Sequence, residues 1–163
     1  MKVAIIMGSM SDLAKVEPAI SILKKYDVKV DVRCLSAHRA ADELCSFVNE
    51  ANNNGTEAII AAAGMAAALP GVVASQTILP VIGIPVNAGT LGGLDAMLST
   101  IQMPSGIPVA TVAINGAVNA ALLAIQILAV SDDNLAKLLA EKRENDKQAV
   151  LLKNQTVENN FNN

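Results

Sequence analysis

The single histidine of the chain, His38, stands in Ser36-Ala37-His38-Arg39, at the end of an alternating apolar and polar run. Imidazole titrates near neutrality, so one positioned ring can both give and accept a proton. A neighbouring guanidinium presents a planar fork of charged donors that suits a phosphate. The pair therefore points to proton chemistry on a phosphorylated small molecule.

Other segments carry compatible chemistry. Gly8-Ser9-Met10-Ser11-Asp12 opens a helical pattern. Glycine permits a tight turn there, serine hydroxyls and helix N–H groups suit phosphate, and a carboxylate accepts from ribose hydroxyls. The same residue types serve equally as plain helix caps. Ala62-Ala63-Gly64-Met65-Ala66-Ala67-Ala68-Leu69-Pro70-Gly71 is a run of small residues. It fits either a planar ligand lying against the backbone or close helix packing. Asn87-Ala88-Gly89-Thr90-Leu91-Gly92-Gly93 reads as a flexible loop, and Gln102-Met103-Pro104-Ser105-Gly106 as a turn or a pocket lining. Asp95 reads as a structural residue that caps a helix or bonds locally.

Several chemistries are disfavoured. There is no phosphate-binding loop with a lysine, and Gly8-Ser9-Met10-Ser11-Asp12 is not a dinucleotide fingerprint. No His/Cys cluster offers metal ligands. Tyr26, Phe47 and Phe161 are the whole aromatic supply, too few to flank a flavin ring. Net charge is −3 with Lys and Arg scattered, which argues against a nucleic-acid surface.

The elements that must position these residues follow from periodicity. Strands are predicted at 3–7, 28–35, 58–62, 81–86 and 109–114. Four are nearly all apolar, as parallel strands covered on both faces should be. The second alternates Val28, Val30, Val32 and Cys34 with Lys29, Asp31 and Arg33, which suggests a sheet edge. Helices are predicted near 12–25, 40–53, 68–76, 93–102 and 117–130, with a last one from about residue 134 capped by Ser131-Asp132-Asp133. The first presents Leu13, Val16, Ile20 and Leu23 on one face, and Pro18 requires a late start or a kink. The second carries the stripe Leu44, Phe47, Val48 and Ala51 and stops at Asn54-Gly55. Alternation of this kind predicts an α/β fold, a three-layer α/β/α sandwich on a five-stranded parallel sheet in the flavodoxin-like order 2-1-3-4-5. Ligands in such sheets bind beyond the carboxyl ends of the strands, where all the segments above fall.

A chain of 163 residues fits one domain, read here as 1–153 with a polar tail over 154–163 that stays mobile unless a neighbouring subunit pins it. Hydrophobic residues make up 52% and aromatics 2%, so the core must be aliphatic. Between Glu57 and Asp132 the one charged residue is Asp95. So much uncharged sequence is hard to hide in one small domain, and burial between subunits predicts a homo-oligomer. A membrane protein is disfavoured, since Gly64, Pro70, Gly71, Pro80, Gly83 and Pro85 interrupt the apolar stretch. The N-terminus lacks a signal-peptide pattern, which favours the cytoplasm. Cys34 and Cys45 have no metal-site spacing and read as buried free thiols.

Taken in order, these segments resemble a known family. Gly8-Ser9-Met10-Ser11-Asp12, Ser36-Ala37-His38-Arg39, Ala66-Ala67-Ala68-Leu69-Pro70-Gly71, Pro80-Val81-Ile82-Gly83-Ile84-Pro85-Val86 and Leu98-Ser99-Thr100-Ile101-Gln102-Met103-Pro104 come first. Pro108-Val109-Ala110-Thr111-Val112-Ala113-Ile114 and Asn119-Ala120-Ala121-Leu122-Leu123-Ala124 follow. Together they are similar to the bacterial-type (class I) 5-(carboxyamino)imidazole ribonucleotide mutases of purine biosynthesis, over nearly the whole chain to about Val130. The resemblance implies isomerisation of 5-carboxyamino-1-(5-phospho-ribosyl)imidazole to the 4-carboxylate without metal, ATP or biotin. It implies an octamer with sites near subunit interfaces. It makes His38 the general acid/base and Ser9, Asp12 and Arg39 substrate-binding residues, with Ser11, Ser36, Gly64, Met65 and Ala66 as further lining.

Two departures stand out. The family usually has histidine before Leu-Pro-Gly, where this chain has Ala68, and Ala40-Ala41 replaces Thr-Pro. Retention of His38 predicts retained activity. The rival readings are an aminoimidazole ribonucleotide carboxylase using free carbon dioxide and a non-catalytic ribonucleotide-binding oligomer. The apolar run 66–71 favours the mutase over the carboxylase, whose loop there is more polar.

Overall fold

The computed structural model describes residues 1–162. Five parallel strands, β1 (Lys2–Met7), β2 (Lys29–Cys34), β3 (Ala58–Gly64), β4 (Val81–Val86) and β5 (Ala110–Thr111), form one sheet in the order β2-β1-β3-β4-β5. Helices α1 (Leu13–Lys25), α2 (Ala41–Ala51), α3 (Leu69–Ala74), α4 (Leu94–Ile101), α5 (Ala117–Leu128) and α6 (Asp133–Phe161) connect and follow them.

Side chains alternate across a strand, so each buried strand feeds two cores. Val3, Ile5, Ile60, Ile82 and Ile84 pack with α1, α5 and Leu135 at the start of α6. Ala4, Ile6, Ile59, Ala61 and Val81 pack with the α2 stripe Leu44, Phe47, Val48 and Ala51, with α3, and with Ala96 of α4. The result is the expected three-layer sandwich. Small residues set its thickness: a Cβ on Gly83 would come within 2.5 Å of Thr100 Cγ2, so α4 lies directly against the β4 backbone.

β5 is one edge strand, and β2, as its alternation predicts, is the other. Its polar face is nonetheless partly covered. Asp31 pairs with Arg33 at 2.7 Å and with Lys2 at 3.5 Å, and the Arg33 guanidinium lies 5.0 Å from the centre of the Phe47 ring on α2.

Two expectations need correction, on the cysteines and on the fifth strand, and two are refined, on α1 and on the C-terminal segment. Both cysteines are exposed rather than buried. Cys34 ends an edge strand whose valines are only half-covered, and Cys45 sits off the buried stripe of α2. The predicted strand 109–114 contributes only Ala110–Thr111 to the ladder. Beyond it, Val112 N–H donates to Gly83 O at 3.1 Å and Asn115 N–H to Pro85 O at 2.8 Å. Three residues thus span two on β4, and the extra residue breaks the pairing as a bulge does. α1 does not start late at Pro18; a 3₁₀ turn at Met10–Asp12 leads into Leu13, and Pro18 lies inside the helix. Finally, residues 154–161 continue α6, which runs unbroken to Phe161 with its side chains exposed there. Asp132 caps that helix, accepting from Leu135 N–H at 2.8 Å, and ion pairs such as Lys142–Asp146 (2.5 Å) line it.

Candidate active site

Strand register brings the chemistry-bearing segments together. Met7 is paired with Cys34 across β1 and β2, and Leu35 N–H donates to Met7 O at 2.9 Å. Met7 is also paired with Ala62 on β3, and Gly8 N–H donates to Ala62 O at 3.2 Å. The chain leaves all three strands at the same end of the sheet. A cavity of about 490 Å³ lies there, of the size that takes a small ligand. Ser9, Ser11, Asp12, Ser36, His38, Arg39, Gly64, Met65 and Ala66 all line it, joined by Ala68 and Ala88.

Each segment has a local reason for its shape. Ser9 is extended (φ −152°, ψ 149°) and caps the 3₁₀ turn, its Oγ accepting from Ser11 N–H at 3.3 Å and from Ser11 Oγ at 2.8 Å. The turn delivers Asp12 into the protein, where it is only 4% exposed. Burial raises the Asp12 carboxyl above its ordinary 3.8, opposed by the Lys15 cation and by hydrogen bonds from Ser11 and the Ser9 backbone. After β2, Arg39 N–H and Ala40 N–H both donate to Ser36 O, at 3.3 and 2.9 Å, and His38 N–H reaches Ser36 Oγ at 3.4 Å. This turn presents the His38 and Arg39 side chains outward. Among the described residues no hydrogen bond or ion pair engages either side chain, which leaves both free to meet a ligand.

The wall after β3 is strained. Met65 (φ 56°) and Ala67 (φ 30°) adopt left-handed backbone without being glycine, at a cost on the order of 1–3 kcal/mol each. Ala67 N–H donates to Gly64 O at 3.1 Å and closes the turn. Opposite, Ala88 approaches so closely that a Cβ on Gly64 would come within 2.5 Å of Ala88 Cβ. Only glycine lets these two walls meet.

A larger cavity, about 900 Å³, lies at the other end of β4 and β5, lined by Asn52, Gln76, Thr77, Ile78 and their neighbours. It holds no titratable side chain, unlike the smaller cavity with Asp12, His38 and Arg39. Asp95 lies in the first turn of α4, where a carboxylate complements the helix dipole, and is outside the site. The residues missed from sequence are Ala88 and Lys15, whose Nζ donates to the Asn87 carbonyl beside Ala88. For Lys15 a signal existed: three residues beyond Asp12 is helical spacing, which sets both on one face.

The sequence profile of the AIR carboxylase family matches residues 2–149. The chain belongs to the AIR carboxylase family. Within it, the N5-carboxyaminoimidazole ribonucleotide mutase of Methanocaldococcus jannaschii is 50% identical over 159 residues, 98% of this chain and 99% of that one. The mutase of Thermotoga maritima is 48% identical over 157 residues, 96% of this chain and 92% of that protein. A chloroplastic phosphoribosylaminoimidazole carboxylase of Vigna aconitifolia is 48% identical over 153 residues, and the match spans only 28% of that plant enzyme's length. Treponema denticola PurE has the same fold, with a TM-score of 0.89 at 30% identity over 96% of this chain and 98% of that one. No helix among the described residues is long and apolar enough to cross a membrane.

Proposed function

We propose that this AIR carboxylase family member is an N5-carboxyaminoimidazole ribonucleotide mutase, an isomerase of purine biosynthesis. The observation that carries the reading is the convergence of Ser9, Asp12, His38 and Arg39 on one small-molecule cavity, in a chain about half identical to mutases of its own length. Arg39 supplies a charged fork for the ribonucleotide phosphate, helped by the Ser9 hydroxyl, while Asp12 accepts from the ribose hydroxyls. Ser11, Ser36, Gly64, Met65 and Ala66 shape the remaining wall.

His38 moves the proton. As imidazolium it protonates the exocyclic nitrogen while the N–C bond of the carbamate breaks, releasing carbon dioxide and leaving a neutral imidazole and a free amine. The ring carbon next to the amine then attacks the trapped carbon dioxide. His38 removes the proton from that carbon, which restores the aromatic ring and returns His38 to its starting charge. The mostly apolar walls matter because carbon dioxide must be held in attack position rather than lost. The product is an isomer of the substrate and His38 ends in the charge state in which it began, so the scheme consumes no co-reactant.

The same reading includes a homo-oligomer, an octamer, working in the cytoplasm as one catalytic domain over 1–153. Leu94, Leu98 and Ile101 lie exposed on α4, and Val150, Leu151, Leu152, Val157 and Phe161 on α6, which supports contacts between subunits. Assays with the carbamate and with the unmodified amine plus bicarbonate, supplied separately, test the activity. Turnover of the carbamate is expected, and turnover of the amine pair alone would make the chain a carboxylase instead. His38→Asn is expected to lower turnover by about 10²–10⁴-fold while calorimetry still detects ribonucleotide binding; unchanged turnover would remove His38 from the mechanism.

A further inference from the structure

Lys15 lies half-buried on α1, one turn after Asp12, and its ammonium donates to the Asn87 carbonyl in the connection between β4 and α4. The same residue is held from its other side, where Asn87 N–H donates to Asn115 Oδ1 at 3.0 Å. Clamped between these two bonds, Asn87 fixes the next residue, Ala88, in the wall that meets Gly64. The connection has no charge of its own, since Asp95 is the one charged residue between Glu57 and Asp132. Its ionic anchor therefore comes from outside, from α1, the helix that follows directly on Asp12.

We propose that Lys15 is a positioning residue of this site, a latch that ties the 87–89 wall to α1 and places a cation beside the substrate-binding Asp12. This deepens the mutase reading and rests on it. The charged or titratable groups facing Asp12 are Lys15, from the first turn of the helix that follows it, and His38 and Arg39 across the cavity. Segments 64–68 and 87–89 contribute none. Of the three, Lys15 is the one whose charge opposes the effect of burial on the Asp12 carboxyl. One side chain thus sets both the wall that retains carbon dioxide and the ionisation of the carboxylate that holds the ribose.

The test compares wild type with Lys15→Met and Lys15→Arg, Lys15→Gln replacing the methionine variant if that does not fold. Lys15→Met is expected to raise KM about tenfold and to lower kcat by about tenfold or more, because the ribose-holding carboxylate and the carbon dioxide wall are both disturbed. Loss of the cation lets burial raise Asp12 further, so the acid limb of kcat/KM moves to higher pH. Backbone amides at 88–92 should exchange faster with deuterium in the ligand-free protein. Lys15→Arg should restore the KM and the acid limb, because charge and donor return. A folded Lys15→Met with wild-type KM, acid limb and exchange would overturn the proposal. So would an arginine variant as impaired as the methionine one with no movement of the acid limb, which is the signature of packing alone. Failure of the wild type to convert the carbamate would sink the mutase reading, and the exchange comparison would still decide on the latch.

Discussion

Gly64 offers a quantitative test of how tightly the site is closed. In Gly64→Ala the new methyl would lie 2.5 Å from Ala88 Cβ and 3.1 Å from Val86 O. Carbon atoms in contact sit about 3.5–4.0 Å apart, so the walls after β3 and β4 must separate by about 1 Å. Overpacking of this kind costs about 1–3 kcal/mol, which in a domain of this size lowers Tm by about 2–12 °C. A displacement of about 1 Å at a reacting centre costs about 10²-fold in rate. The expected result is therefore a folded enzyme with kcat/KM down by about two orders of magnitude and only a modest loss of Tm. The compensating change is Ala88→Gly, which removes the methyl that clashes. The double variant should recover most of the lost rate, since the two side chains couple directly. Steady-state kinetics with the carbamate and differential scanning fluorimetry on the four proteins would complete the cycle. Wild-type kinetics in Gly64→Ala, or no recovery on adding Ala88→Gly, would refute the claim that these walls meet at Gly64.

Other predictions follow from single positions. Because burial raises the Asp12 carboxyl above 3.8, the folded protein holds that proton more tightly than the unfolded chain does. The group thus favours folding fully below pH 3.8 and progressively less as pH rises through its raised value. Asp12→Asn should therefore have a higher Tm than wild type at pH 7, the gap narrowing toward pH 3.8, together with a higher KM; a lower Tm at pH 7 would contradict the assignment. Ala68, half-buried in the same cavity wall, is expected to leave the chain active as it stands. Ala68→His should change turnover by less than about tenfold, and a gain of several orders of magnitude would show the natural protein to be impaired.

Much of the site was legible before any coordinates because parallel sheets obey a simple rule. Once strands 3–7, 28–35 and 58–62 are recognised as neighbours, the residues that follow them must emerge at one end. Hence Ser9, Asp12, His38 and Arg39 share a cavity although 30 positions separate Ser9 from Arg39. Ala88 was not legible as a site residue, and the spacing of Lys15 from Asp12 showed only a shared face, because the part each plays depends on one hydrogen bond from Lys15 to a loop far along the chain. The cysteines failed for a related reason. Alternation says which residues share a face, and coverage of that face depends on which helix packs there and how far it reaches.

Period-two and helical patterns along the chain were sufficient for the order of elements, the edge position of β2, the α2 stripe and the Asp132 cap, since these depend on local stereochemistry and on burying apolar faces. Long-range packing alone set the rest. The bulge that cuts β5 to two residues, the left-handed backbone at Met65 and Ala67, and the contact of Gly64 with Ala88 arise between segments distant in sequence. Steric fit between such segments is not encoded in either one taken singly, because each conformation is held in place by the other.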